Sequence, residues 1–516
     1  MLRKLFKSLA ALAALYAIFV IVTRLIFPLP DITDRLAATS IPASNETFFG
    51  GAKIAASETY PDLSGVAPLA DGTDALASRL SVINQAEESI ETQYYIWHDD
   101  ISGILLLNAL DQAARRGVRV RLLLDDNGVP GLDPFMAALN AQDNFEIRLF
   151  NPSTVRNPKT LGFLFDFFRM NRRMHNKSLT VDGAITIIGG RNIGDEYFEI
   201  GDAFYKDMDV LAIGDIVPEM ASTFDDYWNS RSVFEVETII SGDGDRAGFD
   251  ARVAAVMNSE DAQIVLADVQ NSAEQFADGA DILEWTTVQL VADDPIKGEG
   301  LASRDDLMIM RLSDILGDVQ SRLDLASAYF VPGERGTAYF AGLARQGIDV
   351  NILTNAMNTT DVMMVHAGYT KYRRELLEAG VDLFELRLRG DAAPGSENQL
   401  NPIGISGASL HAKTFAVDGE RVFIGSFNFD PRSANLNCEM GFLIDSPTMA
   451  QAVSEGFDGP LALVSYVPML SGDGRMVWQE ATVDGDPTIW QQEPSTSWYK
   501  QMGLAVLQAL PIEWML

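Results

Sequence analysis

The chain is poor in cysteine, histidine and basic residues. Its 516 residues include one cysteine, Cys438, four histidines, and 39 Lys and Arg against 72 Asp and Glu. A lone cysteine excludes an intrachain disulfide and any cysteine-based zinc site. The net charge of −33 argues against a nucleic-acid partner, because binding to a phosphate backbone needs a basic surface. The same charge would repel an anionic membrane, so any contact with anionic lipid must use a local basic or apolar patch.

Long apolar runs are also scarce, and the clearest stands at the N-terminus. A charge-free run from Ser8 to Thr23 follows three basic residues and is closed by Arg24. Residues 1–27 are therefore predicted to be an N-terminal membrane anchor or a signal sequence, and the lack of a clean cleavage site favours the anchor. Its basic end should stay in the cytoplasm, which places the body of the protein on the outer side of that membrane.

The rest of the chain divides into two α/β stretches. Residues 28–72 contain several prolines and are predicted to be a linker with little regular structure. The first stretch, 73–235, contains a strand, an amphipathic helix and a second strand between Ser89 and Leu124. Such a βαβ unit predicts a parallel sheet.

The second stretch, 301–465, repeats this unit from Leu323 to Thr354, and residues 236–300 are interpreted as a connecting segment. The C-terminal tail, 466–516, is rich in Trp, Leu and Met. Packing onto the core and contact with a membrane interface are both open for this tail.

A ten-residue motif occurs twice and defines the candidate site. Each copy has His, Lys and Asp at positions i, i+2 and i+7, followed by Gly-Gly or Gly-Ser and an Asn at i+17. The two copies contain the following residues: His175, Lys177, Asp182 and Asn192 in the first, and His411, Lys413, Asp418, Ser426 and Asn428 in the second. The repetition in register predicts an internal duplication and one site that uses both halves.

The spacing predicts separate roles for these residue types. Residues two apart share a face of a strand, so each His projects with its Lys. Asp182 and Asp418 each begin an Asp-Gly pair between two β-rich runs, which favours a hairpin turn over direct action on a substrate. A lysine beside each histidine argues against a metal and for an anion, so neither a metal nor another cofactor is predicted.

The chemistry that this set favours is phosphoryl transfer. One histidine can attack phosphorus to give a phosphoenzyme, while the other protonates the leaving oxygen and then deprotonates the acceptor. The lysines, with Asn192, Ser426 and Asn428, would bind the phosphate oxygens. Glu439 and its counterpart Asp207 are predicted to orient the histidines through the second ring nitrogen.

With these motifs the chain resembles the phospholipase D superfamily, and within it most closely the bacterial cardiolipin synthases. Supporting phrases are Gly189–Asp195, Gly425–Ser433 and the C-terminal Leu510–Trp514. The resemblance implies two similar α/β/α domains with the active site at their interface, and a metal-independent, two-step transphosphatidylation. It favours His175 as nucleophile and His411 as acid/base, whereas the sequence alone leaves the two histidines equivalent.

The resemblance further implies phospholipid substrates at the bacterial inner membrane and a monomeric catalytic unit. The leading hypothesis is transfer of a phosphatidyl group from phosphatidylglycerol to a second phospholipid. Hydrolysis by a phospholipase D and lipid binding by an inactive protein are the alternatives. A stretch of four phenylalanines, Phe163–Phe168, followed by Arg169, Arg172 and Arg173, either contacts lipid or forms a core element that positions His175.

Overall fold

The computed structural model describes residues 2–201, 204–278, 282–317, 319–360, 362–387, 409–459, 461–482, 486–494, 496, 498–510 and 513–516. The strands are, in chain order, β1 (Ser64–Leu69), β2 (Ser89–Ile96), β3 (Arg119–Gly128), β4 (Phe145–Phe150), β5 (Ser178–Val181), β6 (Ile185–Gly189), β7 (Tyr205–Lys206), β8 (Asp209–Gly214), β9 (Val233–Glu235), β10 (Glu284–Thr286), β11 (Val288–Ala292), β12 (Arg322–Ser327), β13 (Asp349–Asn355), β14 (Asp382–Leu386), β15 (Ser409–Leu410), β16 (Lys413–Val417), β17 (Arg421–Gly425), β18 (Met440–Ile444), β19 (Ser465–Leu470), β20 (Met476–Glu480) and β21 (Thr488–Trp490).

The helices are α1 (Leu2–Ile26), α2 (Phe48–Thr59), α3 (Gly72–Gln85), α4 (Ile101–Arg115), α5 (Asp133–Asn140), α6 (Phe163–Met170), α7 (Ile216–Trp228), α8 (Val236–Ile239), α9 (Arg246–Met257), α10 (Glu260–Asp278), α11 (Ile296–Glu299), α12 (Met308–Gly317), α13 (Gly333–Arg345), α14 (Met363–Thr370), α15 (Arg373–Ala379), α16 (Pro431–Asn435), α17 (Pro447–Asp458), α18 (Leu461–Val464) and α19 (Trp498–Ala509).

Two mixed sheets with the same internal order form the frame of the molecule. The first runs β10-β1-β8-β6-β5-β2-β3-β4-β9, and the second runs β11-β18-β17-β16-β12-β13-β14-β19-β20-β21. From β1 to β9 and from β11 to β19 the two orders correspond strand for strand. The parallel pairs also match, since β2-β3-β4 are parallel in the first sheet and β12-β13-β14 in the second. The predicted duplication is confirmed.

Helices cover both faces of each sheet, as predicted for an α/β/α domain. In β3, Leu122 and Leu124 belong to a core shared with α3 and α4, whereas Leu123 packs with residues of α7 on the opposite face. In β16, Phe415 packs towards α12 and α13, and Ala416 packs towards α17. Such alternation is what a strand buried on both faces requires.

One apolar core joins the two halves. It contains residues of β6, β8 and α7 from the first half, and of β16, β17, β18 and α17 from the second. The facing sheets are therefore held together by continuous hydrophobic packing rather than by a flexible link. This interface positions the two His-x-Lys segments beside each other.

The interpretation of residues 28–72 as a linker without regular structure is wrong for its second part. Helix α2 and strand β1 lie within it, and β1 pairs with both β8 and β10. Pro68 fits in β1 because β10 pairs only with Ser64–Val66, so Pro68 faces an open edge on that side. The earlier residues lie along the first half, where the Arg35 guanidinium donates to the carbonyls of Asn229 and Ser230 at 2.7 Å.

Residues 236–300 are more than a connection. Strand β10 extends the first sheet and β11 begins the second, so the second sheet starts before residue 301. The tail likewise continues the second sheet through β19, β20 and β21 before α19. These short strands lack strong alternation of apolar and polar residues, and the sequence therefore did not reveal them.

Candidate active site

Each motif histidine is paired with a carboxylate from the other half of the chain. The Nδ1 atom of His175 lies 2.8 Å from a carboxylate oxygen of Glu439, and Nδ1 of His411 lies 2.5 Å from one of Asp207. All four side chains are buried. We call these two crossed pairs the His–carboxylate dyads. Both carboxylates were predicted to orient histidines, but the sequence did not indicate that the pairs cross.

The backbone fixes this crossing by a matched pair of hydrogen bonds. The N–H of His175 donates to the carbonyl of Cys438, the residue before Glu439, at 2.8 Å. The N–H of His411 donates to the carbonyl of Lys206, the residue before Asp207, also at 2.8 Å. Each histidine is therefore held through its main chain and its side chain by one two-residue segment of the opposite half.

A polar residue at the end of a parallel strand supports each histidine from within its own half. Near the end of β3, Asp125 accepts the N–H of Met174 at 2.9 Å and forms a buried ion pair with Arg173. Near the equivalent end of β13, the Asn355 amide both donates to the Leu410 carbonyl, at 2.8 Å, and accepts its N–H, at 3.0 Å. Sequence reasoning assigned no role to Asp125 or Asn355, although the polar phrase at the end of the first strand was visible.

The two motif lysines are also brought to the dyads. The ammonium of Lys177 donates to the carbonyl of His175 at 2.6 Å, and that of Lys413 lies 3.1 Å from Nε2 of His411. Both lysines are buried. Two lysines and two imidazoles thus meet at the interface in an otherwise acidic protein. Burial lowers the pKa of Lys177 well below its usual value, and an anionic ligand bound there would favour its charged form.

The asparagines and the serine lie beside these groups. The side-chain oxygen of Asn192 accepts the N–H of Ile96 at 3.3 Å, and that of Asn428 accepts the N–H of Tyr329 at 3.4 Å. The Ser426 hydroxyl donates to Glu439 at 2.6 Å. At the equivalent position, Gly190, a side chain would collide with the Asp207 carboxylate. The two differences between the copies therefore occur together: Ser426 contacts Glu439 in one dyad, and Gly190 leaves room for Asp207 in the other.

The structure does not bring Asp182 and Asp418 to the histidines. Each lies at a hairpin turn, at the end of β5 or β16 remote from the motif lysine, with a φ of 51° or 55°. The Asp182 carboxylate accepts the backbone N–H groups of Glu87, Glu88 and Ser89. Asp418 does the same for residues 320–322. Their inclusion among the catalytic candidates is corrected: both carboxylates tie a hairpin to the start of the neighbouring strand.

Burial determines the protonation of the dyads. Burial lowers the pKa of His175 to about 4, and although the Glu439 carboxylate raises that pKa, it does not restore the ordinary value. The pKa of His411 is lowered as well, by burial and then by the Lys413 charge. Burial alone would raise the pKa of Glu439 and of Asp207, but the charge of the paired histidine lowers both. Burial therefore favours the neutral form of both imidazoles.

The surroundings of the two histidines differ. The ring of Tyr95 lies edge-on to His175 with centroids 5.0 Å apart, whereas His411 contacts both Tyr197 and Tyr205, at 5.1 and 5.3 Å. None of these tyrosines was singled out in the sequence. They give each imidazole a fixed ring plane and exclude water from the site.

Among the described residues, one group has the spacing of a metal site, and it lies outside the dyads. It consists of His98, Asp100 and Glu196, with potential ligand atoms within 4.8 Å of one another. Asp100 already caps α4 by accepting the N–H of Gly103 at 3.0 Å, and His98 lies 3.2 Å from Glu196. These local contacts account for the group without a metal.

Comparison with known proteins agrees with this geometry. The family described as "Cardiolipin synthase, PLD-like domain" matches twice, over residues 80–228 and 312–460. Cardiolipin synthase C of Escherichia coli K12 is 43% identical over 461 residues, which cover 89% of this chain and 97% of that protein. A cardiolipin synthase of Staphylococcus aureus Mu50 is 26% identical over 410 residues, covering 79% of this chain and 69% of that protein. The crystal structure of phosphatidylserine synthase from Haemophilus influenzae Rd KW20 has the same fold, with a TM-score of 0.53 at 14% identity, covering 81% of this chain and 92% of that one.

The duplicated fold and the paired motifs define an enzyme of the phospholipase D class. More particularly, the chain belongs to the cardiolipin synthase-like family of phosphatidyltransferases. The resemblance stated from the motifs is confirmed. Helix α1, which is apolar over Arg3–Ile26 and long enough to cross a bilayer, fits a membrane-anchored bacterial protein of this family.

Proposed function

We propose that this chain is a cardiolipin synthase that moves a phosphatidyl group from phosphatidylglycerol to a second phospholipid through a phosphohistidine. The observation that carries the proposal is the pair of crossed dyads, with one buried lysine beside each histidine. A phosphodiester placed between them would meet a nucleophile, an acid and two cations at once. The similarity to cardiolipin synthases adds the lipid nature of the substrate.

In the first step, Nε2 of His175 attacks phosphorus. Its Nδ1–H donates to Glu439, so the lone pair on Nε2 is free, and the lowered pKa keeps it unprotonated. A P–N bond forms as the bond to the glycerol oxygen breaks. His411, protonated when the anionic diester binds, gives its proton to that oxygen, and Asp207 stabilises the imidazolium.

In the second step, the hydroxyl of the acceptor lipid replaces the departed glycerol. Neutral His411 takes the hydroxyl proton, the oxygen attacks phosphorus, and the P–N bond breaks to free His175. Lys177 and Lys413 neutralise the non-bridging oxygens in both transition states. The amide oxygens of Asn192 and Asn428 already accept backbone N–H groups, so their NH2 ends are the parts suited to an anion.

The assignment of His175 as the nucleophile follows the resemblance to the phospholipase D superfamily. The two carboxylates are held alike, since Glu439 contacts the His175 ring and the Ser426 hydroxyl, and Asp207 contacts the His411 ring and the N–H of Met208. The catalytic unit is proposed to be one chain, because one chain supplies both dyads. The body of the protein is proposed to lie on the outer side of the inner membrane, with the basic end of α1 in the cytoplasm.

The direct test is product analysis with labelled phosphatidylglycerol in vesicles that also contain phosphatidylethanolamine. We expect labelled cardiolipin from the wild type and none from His175→Ala or His411→Ala. Phosphatidic acid as the sole product would replace the synthase by a hydrolase. An absence of turnover with any phospholipid would favour the remaining alternative, an inactive lipid-binding protein.

A trapping experiment separates the two histidines. A donor with a p-nitrophenol leaving group needs no acid in the first step, so His411→Ala should accumulate a phosphoenzyme that His175→Ala cannot form. Acid-labile, base-stable label on a peptide containing residue 175 is the expected finding. Label on residue 411 in the His175→Ala variant would reverse the roles.

A further inference from the structure

Exposed apolar side chains lie in α6 and in the turn before it, directly before the first motif. Leu161, in the turn, and Leu164 and Phe168, in α6, are 45%, 54% and 71% exposed, and the backbone is kinked at Asp166 between the last two. We call these three residues the stripe. The other side of α6 is buried through Phe165 and Met170. The helix ends at Met170, five residues before His175.

The flanking arginines do not accompany this stripe as lipid ligands. Arg173 is buried in its ion pair with Asp125, and Arg169 pairs with Asp166 at 2.6 Å. The sequence left open whether the Phe/Arg stretch contacts lipid or positions the motif. The structure divides the stretch: Phe168 is exposed and Phe165 is buried, while Arg169 and Arg173 are held in ion pairs within the protein.

Contacts with α1 place α6 beside the helix that is long enough to cross a bilayer. The Tyr16 hydroxyl donates to the Leu164 carbonyl at 2.9 Å, Arg24 pairs with Asp166 at 2.8 Å, and the rings of Phe27 and Phe165 are stacked. Leu164 and Asp166 are two residues apart and therefore lie within about 7 Å of each other. With Arg24 and Asp166 at the headgroup level, Leu164 lies close to that level, at the boundary between the headgroups and the acyl chains.

A second exposed apolar group adjoins the same rim. Trp514 is 50% exposed, and Met502 and Val506 stand one turn apart on the outer side of α19. The link to α6 is Arg432, whose guanidinium donates to the Asn171 carbonyl at 2.9 Å and to the Met515 carbonyl at 3.2 Å. Arg432 lies four residues after Asn428, so this junction borders the site itself.

From this arrangement we infer that α6 and the C-terminal segment form one membrane-inserting surface. It consists of Leu161, Leu164, Phe168, Met502, Val506 and Trp514, and its occupant is the phospholipid leaflet that holds the C-terminal end of α1. Apolar and Trp side chains suit that depth. This surface presents the dyads to lipid headgroups, a consequence that rests on the proposed function, whereas the insertion itself does not.

Depth-dependent quenching tests the insertion. Cysteines at positions 164 and 514 are labelled with an environment-sensitive nitrobenzoxadiazole dye, and Glu420→Cys, at an exposed hairpin turn, is the distal control. Native Cys438 stays unlabelled because burial raises its pKa to about 12. The full chain is reconstituted in phosphatidylcholine vesicles containing phosphatidylglycerol and doxyl-labelled lipid.

We expect a several-fold rise of emission and doxyl quenching at positions 164 and 514, and neither at position 420. A rise without quenching would mean that a protein partner, including a second copy of the chain, covers the surface, and the inference would be overturned. Quenching at only one of the two positions would equally exclude a single surface.

Activity gives an independent readout. The double variant Leu164→Ser/Phe168→Ser should lose about tenfold in turnover of vesicle lipid, because two large apolar side chains no longer leave water. It should keep the wild-type rate on monomeric short-chain phosphatidylglycerol. Ile264→Ser, which changes a residue 56% exposed on α10, is the matched control and should affect neither rate. Equal losses on both substrates would overturn the inference, and no turnover of either substrate by the wild type would instead overturn the proposed function.

Discussion

At the scale of single residues, the pKa of His175 connects burial to reactivity. The reactive form of a nucleophilic imidazole is neutral, and an ordinary histidine becomes protonated as the pH falls through about 6.5. Burial lowers the pKa of His175 to about 4. The nucleophile therefore remains available under mildly acidic conditions, and activity should disappear only when the pH falls through this lowered value.

The direction in which Glu439 changes the pKa of His175 yields a prediction for Glu439→Gln. The carboxylate raises the pKa of His175, so its removal should move the acid limb to lower pH. The plateau rate should fall by about 10- to 100-fold, because the ring loses its orienting anion. The measurement is the rate of phosphoenzyme formation from the activated donor, between about pH 3 and about pH 8.

Asp207→Asn is the matched control for that profile. It changes the dyad of His411, which the activated donor does not need as an acid, and so should leave the acid limb of the first step in place. An acid limb near 6.5 in the wild type, or an upward shift in Glu439→Gln, would contradict the assignment of His175.

At the scale of elements, the two hairpins show what the motif aspartates do. Asp182 and Asp418 both combine a left-handed backbone with a carboxylate bound by three N–H groups. Asp182 is fully buried, whereas Asp418 is partly exposed. The same substitution should therefore cost more stability in the first half, where water cannot replace the lost acceptor.

We expect Asp182→Ala to lower the free energy of unfolding by about 3 kcal/mol and Asp418→Ala by about 1–2 kcal/mol. Thermal melting followed by circular dichroism measures this loss, and turnover per folded molecule should stay near that of the wild type. The Asn variants, which tolerate the left-handed backbone and still accept hydrogen bonds, should lose less than the Ala variants. A loss of turnover of about 1,000-fold in a folded Asp182→Asn would restore a catalytic role.

The elements around the motifs were also the most predictable. The βαβ unit and both hairpins follow from strong alternation and from Asp-Gly turns, and the structure contains them within a few residues of the predicted bounds. Strands β10 and β21 have three residues each, and β1 contains a proline, so local pattern could not identify these three strands. Their pairing depends on a neighbouring edge that only the assembled sheet provides.

At the scale of the whole molecule, the sequence predicted one site from two motifs but not how the halves exchange partners. Glu439 follows His411 along the chain, and nothing in the spacing separates a pair within one half from a crossed pair. The crossing arises from hydrogen bonds to the main-chain carbonyls of Cys438 and Lys206, and any residue at these two positions would present the same carbonyl. No pattern of side chains in the sequence therefore indicates the crossing.

A complete site within one chain predicts the outcome of a mixing experiment. Equal amounts of His175→Ala and His411→Ala should show no transfer activity, because each molecule lacks one histidine and the shared core prevents exchange of halves. Turnover of labelled phosphatidylglycerol in vesicles is the measurement. In the control, wild type mixed with an equal amount of either variant should show half the activity of the same total amount of wild type. Activity in the mixture of the two variants would show that sites form between chains.

The crossed dyads bear on how such a protein arises. A single half contains a histidine and a carboxylate that do not reach each other, yet two identical halves related by a twofold axis would complete both pairs. Fusion of two copies into one chain leaves the site unchanged and only removes the symmetry requirement. From then on each copy can mutate alone, as Glu439 and Asp207, Ser426 and Gly190 already differ. Division of labour between the two histidines is thus a freedom gained by covalent linkage.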